Sequence, residues 1–166
     1  MLNRCILGIS IVGLYLSTLY PYVSYPDPNK YYRVTWGIEY VGRDCYISLE
    51  DFDLLCHTVY CEAGNQSMEV QIMVAQCIVF RLFSKKFPNN IRDVVYAENG
   101  KQFNVIRKPG FPESYPYDDT TEIACFTAIT EYPEYSPKMV YFNSKGYFSW
   151  APKYKHKGDM WFSLEE

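Results

Sequence analysis

One carboxylate and one thiol–imidazole group stand out as candidates for chemistry. Glu62 falls in Val59-Tyr60-Cys61-Glu62-Ala63, at the end of a helical apolar stripe that carries Phe52, Leu55 and Val59. A glutamate there is drawn partly out of water and lies near the negative end of the helix dipole. Both effects favour the neutral acid and raise its pKa, as a general acid requires. Cys61 and His57 lie four residues apart on one helix face, the minimum for a thiol nucleophile with its base, and His156 supplies a second imidazole. A thiolate prefers a helix N-terminus, however, and Cys61 sits at a C-terminus. Cys56, His57, Cys61 and His156 make a poor metal set, because adjacent helical residues point about 100° apart. The sequence therefore implies neither a metal nor a cofactor.

The chain has 166 residues, enough for one domain, and its 48% hydrophobic content excludes general disorder. A net charge of −3 argues against a nucleic-acid partner, which would call for a basic surface. The 17 Tyr, 10 Phe and 3 Trp supply many flat amphipathic rings, suited to a groove for sugars or peptides as well as to a core. Six cysteines without a CxxC pair do not form a disulfide framework. Cys56, Cys61, Cys77 and Cys125 read as buried free thiols, and one disulfide using Cys45 is open if the domain is exported.

The elements that must position these groups follow from periodicity. Ser48 and Asp51 form a capping box that opens a helix over 49–62, ended by Ala63-Gly64-Asn65. Ser67 can cap a second helix over 68–84, apolar around most of its circumference and hence central. Alternation over 32–40 predicts a half-buried strand or extended arm. Residues 91–96 form a short helix or strand, Asn99-Gly100 a turn, and 109–119 a loop rich in Pro and Tyr. Asp119 and Glu122 suggest another capping box, with Ile123, Cys125, Phe126 and Ile129 on the apolar side of its helix. Strand 138–142 and return strand 147–150 make a small β-hairpin, followed by a basic tail over 153–157.

The N-terminus is of another kind. Arg4 precedes an apolar run over 5–20, and no charge follows until Asp27. A span of roughly 20 uncharged residues can just cross a hydrocarbon core. Residues 1–24 therefore read as a signal anchor or signal peptide. With no good cleavage site, an anchor is favoured, with its domain exported to the outer face of the membrane, or secreted if the segment is cut. Residues 25–47 read as linker and extended arm, and 48–166 as the globular domain that carries the candidate groups.

The series Val59-Tyr60-Cys61-Glu62-Ala63, then Gln71, Val74, Ala75 and Arg81, then Phe87-Pro88, Gln102-Phe103 and Tyr141-Phe142-Asn143 resembles the SleB-type cell-wall hydrolase family. That family comprises the catalytic domains of spore-cortex-lytic enzymes. The resemblance implies an α+β, mainly α, lysozyme-like single domain. It also implies cleavage of peptidoglycan glycan strands by lytic transglycosylation at N-acetylmuramic acid. It places the catalytic acid on Glu62 and substrate contacts on Gln102, Phe103, Tyr141 and Asn143; Tyr60 and Trp150 are added from their chemistry as stacking walls. The sequence departs from the family pattern at Val70 for Gly, Phe80 for Asn and Met160 for His. Two alternatives stay open: a Cys/His peptidase or amidase acting on peptide stems, and a non-catalytic glycan-binding or membrane- or virion-bound module.

Overall fold

The computed structural model describes residues 29–97 and 102–166. The apolar N-terminal segment, most of the linker and the Asn99-Gly100 turn lie outside the described residues. Among those described, no helix is long and apolar enough to cross a membrane.

Two short antiparallel strands, β1 (Tyr31–Arg33) and β2 (Tyr46–Ser48), open the fold. Alternation predicts an extended arm through residue 40, but the strand ends at Arg33 and a one-turn helix, α1 (Gly37–Val41), succeeds it. Val34 and Trp36 are buried as alternation requires, whereas Ile38 is 48% exposed. The cause is the Trp36 side chain. Its indole packs edge-on against Phe80, and its Nε1–H donates to the Ala128 carbonyl at 3.0 Å. Held there, the backbone coils, and the Tyr40 N–H donates back to the Trp36 carbonyl at 2.9 Å. Val34, Trp36 and Ile47 belong to the main core, so this arm is part of the domain.

Helix α2 (Leu49–Ala63) begins as its capping box predicts: Ser48 Oγ accepts from the Asp51 N–H at 3.0 Å. Helix α3 (Met68–Arg81) is the central element, buried along nearly all of its length from Val70 to Arg81. It packs against α2, against α5 (Asp119–Thr130) and against strand β3 (Met139–Asn143). Gln71 makes a polar tie inside this packing. Its Oε1 accepts from Thr121 Oγ1 at 2.7 Å, and its Nε2 donates to the Gln66 carbonyl at 3.2 Å. A short helix, α4 (Ile91–Tyr96), and a 3-10 turn (Asn104–Arg107) complete the helical part.

Helix α5 corrects the sequence expectation in two ways. Its cap is Asp118, whose Oδ1 accepts from the Thr121 N–H at 2.8 Å, one residue earlier than the capping-box pattern suggests. Ile123 and Phe126 are 53% and 46% exposed, while Thr121, Ala124, Cys125, Ala128 and Ile129 are buried. The small Ala124 and Ala128 let α5 approach α3 closely, and this outweighs the larger apolar residues on the other face.

The sheet also differs from the expected hairpin. Strand β3 pairs not with residues 147–150 but with β5 (Met160–Leu164), which in turn pairs with β4 (Lys153–Lys157), giving the antiparallel order β3-β5-β4. The rings of Phe148 and Trp150 pack on Tyr141 instead of entering a ladder. The basic stretch read as a tail is one of the sheet's two edge strands, where lysines discourage pairing with other chains. Cys45, Cys56, Cys61, Cys77 and Cys125 are free thiols; Cys61 is only half-buried.

The cap assignment is testable in urea. Asp118→Ala should destabilise the domain by about 1 kcal/mol, while Asp119→Ala should change it by less than about 0.5 kcal/mol.

Candidate active site

Glu62 occupies the last turn of α2, half-buried at the end of the stripe formed by Phe52, Leu55 and Val59. Gly64 caps the helix, its N–H still donating to the Tyr60 carbonyl at 2.8 Å, and having no side chain it can lie close against Tyr60. A Cβ there would fall 2.5 Å from the Tyr60 carbonyl oxygen and 2.9 Å from its ring. The loop beyond is fastened at Gln66. Gln66 Nε2 donates to Asp159 Oδ2 at 3.0 Å, and its Oε1 accepts from the Asp159 N–H at 3.0 Å. The β4–β5 turn thereby clasps the segment after Glu62. Gly158, at φ +54°, makes that turn; a Cβ on it would meet Gln66 Oε1 at 2.6 Å.

Burial pushes the Glu62 carboxyl above the ordinary carboxylate range, against the opposing pull of Lys108 and then Arg81. The carboxyl is therefore a weak acid with cations close enough to stabilise its anion. Sequence reasoning missed both cations as site residues. The signal for Arg81 was available: it is a charge closing a helix that is otherwise apolar all round. Lys108 carried no comparable signal, because the helix end and the loop bearing Lys108 meet only in the folded chain.

Arg81 links most of the neighbouring parts. Its Nε–H donates to the Val140 carbonyl at 2.7 Å, and its guanidinium lies 4.9 Å from the Phe87 ring centroid and 5.0 Å from that of Phe103. Glu62 and Tyr141 both act on it electrostatically. Glu62 from α2, Arg81 from α3, Phe103 before the 3-10 turn and Tyr141 from β3 thus converge.

The expected substrate contacts divide. Phe103 is 1% exposed and packs beneath Arg81 and beside Phe142, so it supports the site and offers no face to a ligand. This corrects its reading as a substrate contact: the ring is consumed in covering a buried cation. Tyr60 is 36% and Trp150 60% exposed. Trp150 stands edge-on to the half-buried Tyr141 at 4.9 Å and lies 5.0 Å from Phe148. Tyr141 and Trp150 also line a shallow pocket of about 70 Å³ with Lys86, Ala151, Pro152 and Leu164. Glu62 is not among the residues lining it. Gln102 is half-buried beside Phe103. Asn143, at the end of β3, accepts at Oδ1 from the Lys145 N–H at 3.2 Å and stands opposite Trp161.

The thiol–imidazole alternative loses its base. His57 Nδ1–H donates to the Tyr115 carbonyl at 2.7 Å, and its Nε2 lies 3.4 Å from Asp53 Oδ2. His156 is stacked on Trp161 at 4.2 Å. Burial raises the Cys61 thiol above its ordinary range, with Lys108 pulling it down and Glu62 pushing it further up. Two of the family departures are core substitutions: Phe80 is fully buried against Trp36, and Met160 is 3% exposed in β5. Val70, also buried, packs beside Gly158.

Comparison with known proteins bears on the family and the fold. The sequence profile of the family described as Cell Wall Hydrolase matches residues 65–163, more than half of the chain and beginning just after Glu62. The fold is similar to the catalytic domain of the germination-specific lytic transglycosylase SleB from Bacillus anthracis. That likeness has a TM-score of 0.58 at 22% identity and covers 70% of this chain and 95% of that one. It is also similar to the catalytic domain of the Bacillus cereus SleB protein, with a TM-score of 0.55 at 23% identity, covering 70% of this chain and 91% of that one. No curated protein sequence matches the chain.

A raised thiol pKa has a direct readout. In the folded protein, Cys61 should react with iodoacetamide at neutral pH more slowly than an unstructured peptide thiol, because only the thiolate attacks. Quantitative labelling by mass spectrometry measures this, and faster labelling than the peptide would revive the nucleophile reading.

Proposed function

Because the chain belongs to the cell wall hydrolase family, we propose that it cleaves the glycan strands of peptidoglycan by lytic transglycosylation at N-acetylmuramic acid, with Glu62 acting first as acid and then as base. The observation that carries this reading is the half-buried Glu62 carboxyl, held above the ordinary carboxylate range beside Lys108 and Arg81. The SleB likeness supports the transglycosylase reaction in particular, since the neighbouring structure bears that name.

The chemistry needs one titrating group. The protonated Glu62 gives its proton to the glycosidic oxygen as the bond from C1 breaks, and the sugar passes through an oxocarbenium-like state. The C6 hydroxyl of the same sugar then bonds to C1 and loses its proton to the Glu62 carboxylate. An internal 1,6-anhydro ring results, no water is consumed, and the acid is restored. A carboxyl with an unshifted pKa would be almost fully ionised at neutral pH and would lack the proton for the first step. One placed far higher would be too weak an acid to donate it. Desolvation moves Glu62 away from the first extreme, and the two cations oppose movement toward the second.

Tyr60, Tyr141 and Trp150 offer ring faces or edges to the saccharides, and the amides of Gln102 and Asn143 suit acetamido and hydroxyl groups. The apolar segment over 5–20 with Arg4 before it supports an exported enzyme held at the membrane and facing the wall.

Turbidity clearing of purified cell walls tests the reading. Glu62→Gln should lower the rate by about 10²–10⁴-fold with an unchanged circular dichroism spectrum. Full clearing by this variant removes Glu62 from the mechanism. Products of the unaltered enzyme should carry anhydro-muramyl ends by mass spectrometry. Reducing ends would mean hydrolysis, free stem peptides the thiol chemistry, and wall binding without products a non-catalytic module. The rate should fall as pH rises through the elevated Glu62 pKa, because the first step uses the protonated form. Trp150→Ala should raise KM several-fold with little effect on melting temperature, given its exposure.

A further inference from the structure

Arg81 is 3% exposed, yet its guanidinium is not hydrogen-bonded to any carboxylate among the described residues. Its Nε–H is used by the Val140 carbonyl, its faces are covered by Phe87 and Phe103, and Nη1 has no hydrogen-bond partner. Burying a cation is costly unless it is paired, and leaving one of its donors unmet adds to that cost. A residue needed only to tie α3 to β3 could do so with a neutral donor. The unspent charge calls for an anion, and Glu62 is the carboxylate within its electrostatic reach.

We propose that Arg81 is a positioning residue of the reaction, whose unspent charge stabilises and orients the Glu62 carboxylate in the interval between giving up one proton and taking back the next. The inference rests on Glu62 being the acid. Other groups around Arg81 do not compete for this role. Cys77, on the same helix, is pushed up to about 12 by burial, and Tyr141, from β3, is also raised by burial; both stay neutral while Glu62 titrates. Around Glu62 itself, Cys61 stays a neutral thiol. Lys108 is exposed, so its attraction is weakened by salt, whereas that of the buried Arg81 is weakened much less. The two cations therefore differ in kind: one is adjustable by the medium and the other is fixed by the fold.

The test compares Arg81→Met, Arg81→Lys and Glu62→Gln by wall clearing across pH at high salt, where Lys108 is screened. Arg81→Met should lower kcat by about 10–100-fold, leave KM within about twofold, and move the descending limb of the pH profile upward by about one unit, because an acid deprived of its cation is weaker. Arg81→Lys keeps the charge and should return the limb close to its original position. If both variants slow the enzyme and lower its melting temperature equally with the limb unmoved, Arg81 is structural only and the proposal is overturned. If circular dichroism shows that neither folds, the unaltered protein decides. Its Arg81 guanidinium ¹⁵N resonance should inflect at the pKa of the Glu62 carboxyl and lose that inflection in Glu62→Gln. A flat titration overturns the proposal. Wild-type clearing by Glu62→Gln would instead sink the underlying assignment of the acid, which keeps the two failures distinct.

Discussion

The constraint around which this site is organised is the burial of one guanidinium. Arg81 ends the most buried helix among the described residues, where a solvated charge has no place, and it is accommodated by a carbonyl from β3 and two aromatic faces. Those three groups come from separate segments, two of them distant in the chain. Phe87 comes after α3, Phe103 precedes the 3-10 turn, and Val140 lies within β3. Covering the cation thus fixes the relative positions of a helix end, a loop and a sheet. Phe103 makes the point most clearly: it is a conspicuous ring in a sugar-enzyme pattern, but its surface is used up in shielding charge.

The Glu62 carboxyl is set up in the opposite way. Glu62 continues an apolar stripe and inherits the dry environment of Phe52, Leu55 and Val59, so its ionised form is disfavoured. The two cations limit that effect. Stability alone would be served by an apolar residue at the end of the stripe and another at the end of α3. The pair of opposed charges in poorly hydrated surroundings is a local departure from the best-packed core, of the kind that active sites commonly show.

Much of the helical frame was legible in the sequence because its signals are local. Ser48 and Asp51 mark the start of α2 through a hydrogen bond three residues long, and the unbroken apolar character of 70–80 identifies the central helix. Glu62 was legible for the same reason, as a charge at a fixed phase of a stripe. The failures arise where a distant partner decides. Alternation over 32–40 reads as extended chain, but the Trp36 indole finds the Ala128 carbonyl 92 residues away and the backbone coils. Tyr147, Phe148 and Trp150 read as a return strand, but the rings of Phe148 and Trp150 pack on Tyr141, leaving β3 to pair with a strand still to come. Ile123 and Phe126 look like core, but Ala124 and Ala128 allow the closer approach and win the inward face.

The clasp between Gln66 and Asp159 couples the two ends of the domain in time as well as in space. The loop that carries the chain away from the acid is held by a residue 93 positions later, near the C-terminal end of the sheet. A growing chain can form the helix bearing Glu62 long before it can fasten the loop beyond it. The surroundings of Glu62 are thereby completed among the last features of the fold, so a partly synthesised or C-terminally shortened product carries Glu62 without the brace that holds the loop beyond it.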